Sequence, residues 1–169
     1  MEAVAQVKSP YLPEKATIQN IASLTENERL FTITLDSGRS LDHIPGQFVE
    51  VSLPGIGEGP ISISSPPGED NSFELGVRAA GNLTRAMHKL AVGDAVGIRG
   101  PFGNGFPVET LMGKDLLFVA GGIGLVPLRS LIKYSLHHRD AFGRIIILFG
   151  ARSPKERLFT DELAQWSSR

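Results

Sequence analysis

The run Gly59-Pro60-Ile61-Ser62-Ile63-Ser64-Ser65 places three hydroxyls in a segment where isoleucine and serine alternate, and Pro66-Pro67-Gly68 then stops it. Alternation ended by Pro and Gly reads as a strand. Taken alone it is also what an edge strand with a wet serine face looks like. A second stretch, Ala120-Gly121-Gly122-Ile123-Gly124-Leu125-Val126-Pro127, lies between an apolar run and a helical pattern. Gly122-x-Gly124-x-x-Pro127 is close to the dinucleotide fingerprint, with Pro127 standing where the third glycine would be. Glycines at 121, 122 and 124 permit a tight turn and let backbone N–H groups approach a pyrophosphate, while the helix N-terminus faces its charge. Pro127 suits a first helical turn, where its missing N–H is no loss. Close packing of strand on helix also uses such glycines, so a purely structural turn remains open at this point.

Two further segments carry polar chemistry. Gly81-Asn82-Leu83-Thr84 opens a helix whose free N–H groups and Thr84 hydroxyl suit a phosphate, though an ordinary capped helix has the same composition. After the second apolar strand comes Gly150-Ala151-Arg152-Ser153. An acid there accepts the ribose 2′-hydroxyl of NAD, whereas Arg152 is compatible with a 2′-phosphate. No acid–base dyad or nucleophile emerges, since Ser62 has no histidine near it in sequence.

Composition narrows the classes. The 169 residues carry a net charge of −1, without the basic footprint of nucleic-acid binding. They hold no cysteine, which excludes disulfides, cysteine-ligated zinc and ordinary iron–sulfur clusters within this stretch. His43, His88, His137 and His138 have no metal-ligand spacing among the acids and read as solvated or capping residues, so no metal site is expected. No segment approaches the roughly 18 apolar residues of a membrane span. Met1–Glu14 lacks the apolar centre of a signal peptide, and a cytoplasmic protein is expected.

The elements that must position these residues fall into two rhythms. Strands are predicted at Ala16–Leu24, Leu30–Leu35, Gln47–Leu53, the serine run, Ser72–Arg78 and Ala95–Arg99, with one helix around Leu83, Met87 and Leu90. Short strands at this spacing suggest an antiparallel barrel or sandwich. After Gly113, Leu116–Ala120 and Arg144–Phe149 read as parallel strands buried on both faces, separated by a helix carrying Leu128, Leu131, Ile132 and Leu136 and followed by a helix over Glu156–Trp166. The expected fold is an all-β six-stranded antiparallel Greek-key barrel over 1–108, then a partial α/β, Rossmann-like domain over 109–169.

In this order the motifs resemble the ferredoxin–NADP reductase superfamily, and within it the electron-transfer subunits of hydrogenase or sulfhydrogenase (gamma), anaerobic sulfite reductase (B) and dihydroorotate dehydrogenase. The stretches that carry the resemblance are Pro45-Gly46-Gln47-Phe48, Pro60–Ser65, Gly97–Phe106, Ala120–Gly124 and Gly150-Ala151-Arg152. The resemblance implies FAD on the barrel and NAD(P) on the α/β piece. Pro60, Ile61, Ser62, Ile63 and Ser64 would then lie against the flavin, with Ser62 near its N5 as the catalytic position. Val77 and Arg78 would border the ribityl and adenine parts, Gly81, Asn82, Leu83 and Thr84 would hold the FAD pyrophosphate, and Gly121, Gly122, Gly124, Pro127 and Arg152 would serve the nicotinamide nucleotide. Where the general pattern has arginine and an aromatic, this chain has Gly59 and Ile61. Relatives continue beyond the equivalent of Arg169 to a cysteine cluster for [2Fe–2S], so a fragment, or a chain completed by a separate one, is expected.

The implied function passes electrons between NAD(P)H and a partner redox subunit of a larger complex, with a homodimer as a further possibility. The competing reading is a non-catalytic assembly or binding subunit that keeps the barrel.

Overall fold

The computed structural model describes residues 9, 11–68 and 70–167. Eight strands and four α-helices follow in two regions. The first holds β1 (Glu14–Ser23), β2 (Glu28–Leu35), β3 (Phe48–Leu53), β4 (Gly57–Ser62), β5 (Ser72–Arg78), the short helix α1 (Asn82–Met87) and β6 (Ala95–Phe102). Every pairing is antiparallel, in the order β4-β3-β6-β1-β2-β5. The chain leaves the β3–β4 hairpin, crosses to β5 beside β2, and returns as β6 between β3 and β1, a Greek-key path. Alternate residues point inward, as the period of a strand dictates, so Ile18, Phe31, Ile33, Val49, Val51, Phe73, Leu75 and Val96 fill one core. The sheet curls like a barrel but its ladder does not close. Among the described residues the ladder between the edge strands β4 and β5 is limited to the bridge Ile63↔Leu75 and its flanking bonds.

The second region holds α2 (Val108–Leu111), β7 (Leu116–Gly121), α3 (Leu125–His137), β8 (Ile145–Gly150) and α4 (Thr160–Trp166). β7 and β8 pair in parallel, from Leu116↔Ile145 to Gly121↔Gly150. Leu116, Phe118 and Ala120 turn toward Leu125, Leu131, Ile132 and Leu136 of α3 in a second core.

Here the structure departs from the sequence expectation in three respects. The two strands were expected to be covered on both faces, yet Leu117 and Val119 are 61% and 66% exposed, with Ile146 and Leu148 on the same open face. A continuous apolar run says that both faces are apolar, not that both are covered; among the described residues only the α3 side is. The helix expected over Glu156–Trp166 is also shorter. A 3-10 turn at Pro154–Glu156 is followed by Leu158 and Phe159, both buried, and Phe159 takes a left-handed backbone (φ +53) that separates the turn from α4. The helix expected through Leu90 ends at Met87, although Leu90 still packs on the first core. The turn of helix at α2 had no periodic pattern long enough to reveal it.

Candidate functional site

The serine run divides into two parts with different tasks. Ser62 ends β4 opposite Phe48, is half-buried, and its hydroxyl makes no hydrogen bond to the described residues. From Ile63 onward the segment is locked into the protein. Ile63 N–H donates to Gln47 O (3.0 Å) and Ser64 N–H to Glu74 O (2.8 Å). Ser65 Oγ accepts from Glu74 N–H (3.0 Å), and Ser65 O accepts from His43 Nε2 (3.1 Å) and Ser130 Oγ (2.6 Å). Ile63 and Ser64 are fully buried, so their side chains serve the interior and not an open surface. Val77, expected to border a ligand, is likewise a core residue whose carbonyl accepts from His88 Nε2. Pro60 is exposed and Ile61 half-buried against the first core.

Beside β4 stands α1. Gly59 lies under Leu83, where a Cβ at 59 would come within 3.1 Å of Leu83 Cδ2. The glycine found where the superfamily pattern has arginine therefore lets α1 sit close to β4. Gly81 is the N-cap residue, with open space where its Cβ would stand, and Asn82 is exposed. The Thr84 hydroxyl is not free in the way the sequence suggests: it accepts from Ala80 N–H (3.0 Å) and Gly81 N–H (2.9 Å), holding the start of the helix in place. The first-turn N–H groups of α1 have no partners inside the helix, as geometry requires.

The glycine turn faces the first region. Gly121 ends β7, Gly122–Gly124 form a 3-10 turn, and Pro127 is the third residue of α3. Gly122 has φ +49, and a Cβ there would stand 3.6 Å from Arg78 Nη2; Gly121 and Gly124 border open space. Arg78 Nε pairs with the buried Glu28, and its terminal nitrogens make no other hydrogen bond among the described residues. An open glycine cradle beside a guanidinium with donors to spare fits a phosphate. Arg152 lies apart in the loop after β8, highly exposed and paired with Glu156 (2.9 Å).

Sequence reasoning missed the residue that ties these parts together. Arg129 of α3 is 2% exposed. It donates to Glu162 of α4 through Nε (2.9 Å) and Nη2 (2.7 Å), and through Nη1 to Glu74 (2.6 Å) and Ser64 O (3.1 Å). Its guanidinium also stands 4.7 Å over the Phe159 ring. Burial works against its charge, but Glu162 and Glu74 outweigh that and hold its pKa above the ordinary arginine value. The clue in the sequence is its position. Arg129 falls four residues after Leu125 and three before Ile132, on the apolar stripe of α3, and a charge there must be paired. His43 is not the solvated residue that its sequence context suggests. It is 4% exposed, and burial first of all lowers its pKa, partly offset by the bond to Ser65.

Residues 15–106 match the oxidoreductase FAD-binding domain, and residues 118–169 the oxidoreductase NAD-binding domain. The chain belongs to this family of flavin- and nicotinamide-binding oxidoreductases. Sulfhydrogenase 1 subunit gamma of Pyrococcus furiosus is 42% identical over 158 residues, spanning 92% of this chain and 54% of that protein. A probable dihydroorotate dehydrogenase B (NAD(+)) electron transfer subunit of the same organism is 34% identical, over 84% of this chain and 50% of its own length. The chain thus spans about half the length of these relatives, both of which are subunits. In fold it is similar to the ferredoxin-NADP+ reductase of Plasmodium falciparum, with a TM-score of 0.79 at 18% identity over 92% of this chain and 65% of that one. Among the described residues no helix is long and apolar enough to cross a membrane.

Proposed function

We propose that this chain holds FAD along Pro60–Ser62, Arg78 and Gly81–Thr84, takes a nicotinamide nucleotide at Gly121–Gly124, and passes electrons between NAD(P)H and a partner redox subunit of a larger complex. The observation that carries this reading is the position of Arg78 at the end of β5: a Cβ on Gly122 would stand 3.6 Å from its Nη2, and α1 begins four residues further along the chain. Bound FAD would supply the redox chemistry, accepting two electrons and releasing them singly. The chain's own contribution is placement and electrostatics. Gly121 and Gly124 leave room for close approach of a phosphate, and Arg78 offsets its charge. Thr84 keeps the N-terminus of α1 aimed by capping it, while Asn82 is exposed beside it and Leu83 packs the helix onto Gly59 and the first core. Ile61 would cover the flavin ring, and the Ser62 hydroxyl, without a partner among the described residues, would hydrogen-bond at its edge. Ile63, Ser64 and Val77 act through the backbone they fix, and Pro127 starts the helix that carries the cradle. Arg152, in the loop after β8, is compatible with a 2′-phosphate, which supports NADP alongside NAD.

The assembly-subunit reading loses support because both nucleotide-binding domains are matched and the cradle is open. The test is visible absorption of the full natural chain after incubation with FAD, followed by rapid mixing with NADH or NADPH. A yellow protein that bleaches on mixing is the expected result. A colourless protein overturns the reading. In Ser62→Ala, loss of one hydrogen bond should slow bleaching by about 1 kcal/mol, or roughly fivefold, with FAD retained.

A further inference from the structure

We propose that Arg129, assisted by Ser130, is a positioning residue that sets where the glycine cradle stands relative to Ser62; the inference rests on the flavin and nucleotide placement proposed above. The path between the two half-sites is short and stiff. Gly124 is the N-cap of α3, and Arg129 lies five residues further on, about 7.5 Å along the axis at 1.5 Å per residue. There Arg129 Nη1 bonds the carbonyl of Ser64 at 3.1 Å, and Ser130 Oγ bonds the carbonyl of Ser65 at 2.6 Å. Ser64 is two residues from Ser62. About 1.4 helical turns, one hydrogen bond and two residues of chain therefore join the cradle to Ser62.

The other contacts across this boundary specify less. Gly76 against Val126 sets how close the two regions approach, but an apolar contact permits sliding. Lys133 to Glu74 is long, at 3.8 Å, and half-exposed. Arg129 differs because its planar fork is fixed in direction by two bonds to Glu162 while Nη1 reaches the first region. A buried ion pair is weak evidence for stability, since an apolar replacement of similar volume is often as stable. Its directionality is the property an apolar side chain cannot copy. Hydride transfer between two bound rings depends steeply on that direction, because a displacement of about 1 Å can cost about a hundredfold in rate.

The test uses the full natural chain and the variants R129Q, R129K and S130A. In the FAD-loaded proteins, reduction at saturating NAD(P)H should slow at least tenfold in R129Q and R129K and at least threefold in S130A, with the dissociation constants of FAD and nucleotide within threefold of the parent. In the FAD-free proteins, amide exchange at Ile63 and Ser64 should accelerate in all three variants, while that of Phe31 and Ile33 in β2 stays unchanged. S130A removes only one neutral bond and keeps the measurement available if the arginine variants fail to fold. A lowered melting temperature with an unchanged saturating rate would overturn the positioning role and leave Arg129 as a stabilising residue only. A parent protein that binds FAD but is not reduced would overturn the functional reading, and the positioning role with it.

Discussion

The curled sheet and the α/β layer bury their apolar residues by different means. In the first region each strand has an inner and an outer face, and curling turns every inner face onto one core, so Ile18, Ile33, Val49 and Leu75 are fully buried. In the second, both faces of β7 and β8 are apolar but α3 supplies cover for one of them. Curvature lets a sheet cover itself, whereas a flat parallel pair depends on other elements for each face. The first region thus has a core of its own, while the two share a boundary at which Leu30, Gly76, Ser64, Ser65 and Glu74 meet α3 and its surroundings.

That contrast can be broken by mutation. Phe73→Ala in the first core should cost the most, about 3–5 kcal/mol, read as a shift of the urea midpoint. A smaller loss would mean that the open ladder lets the sheet collapse around the cavity. Gly76→Ala comes next. Its new Cβ would stand 2.6 Å from Val126 Cγ2, an overpacking worth about 1–3 kcal/mol, and Val126→Ala in the same chain should recover part of it. Failure of that rescue would mean that the two regions do not touch there in solution.

His43 sharpens the comparison through pH. Its folded pKa lies below the ordinary value near 6.5, so the unfolded chain binds the proton more readily. The stability it contributes is full above that value and drains away as pH falls below it toward the folded pKa. Urea midpoints between pH 7.5 and 5 should fall in the parent and fall less in His43→Gln, which keeps a donor for Ser65 O. An equal slope in both would remove His43 as the source. The smallest effect belongs to the open face: Leu117→Thr should change stability by no more than about 0.5 kcal/mol in the isolated chain. A larger loss would show that something covers β7 in solution.

Much of this was legible in the residues. Turn glycines and prolines bounded the strands, and Gly122-x-Gly124-x-x-Pro127 marked the cradle, because those features act locally. Strand order was not legible residue by residue, since β6 pairs with β1 and β3 through contacts distant in sequence. The serine run shows the same limit within one motif. Ser62, Ser64 and Ser65 look equivalent in the sequence, and only the approach of Glu74, His43 and α3 assigns the last two to the interior. Arg129 was overlooked because a charge within an apolar stripe announces a partner without naming it.

The helix between the cradle and Arg129 has a consequence for inheritance. A helix transmits angle as well as distance, so one residue inserted between Gly124 and Arg129 would swing the guanidinium about 100° away from Ser64. Substitutions along that stretch that keep it apolar leave this angle intact, whereas insertions and deletions do not. Among descendants of this chain the spacing from Gly124 to Arg129 should therefore outlast the identity of the residues between them.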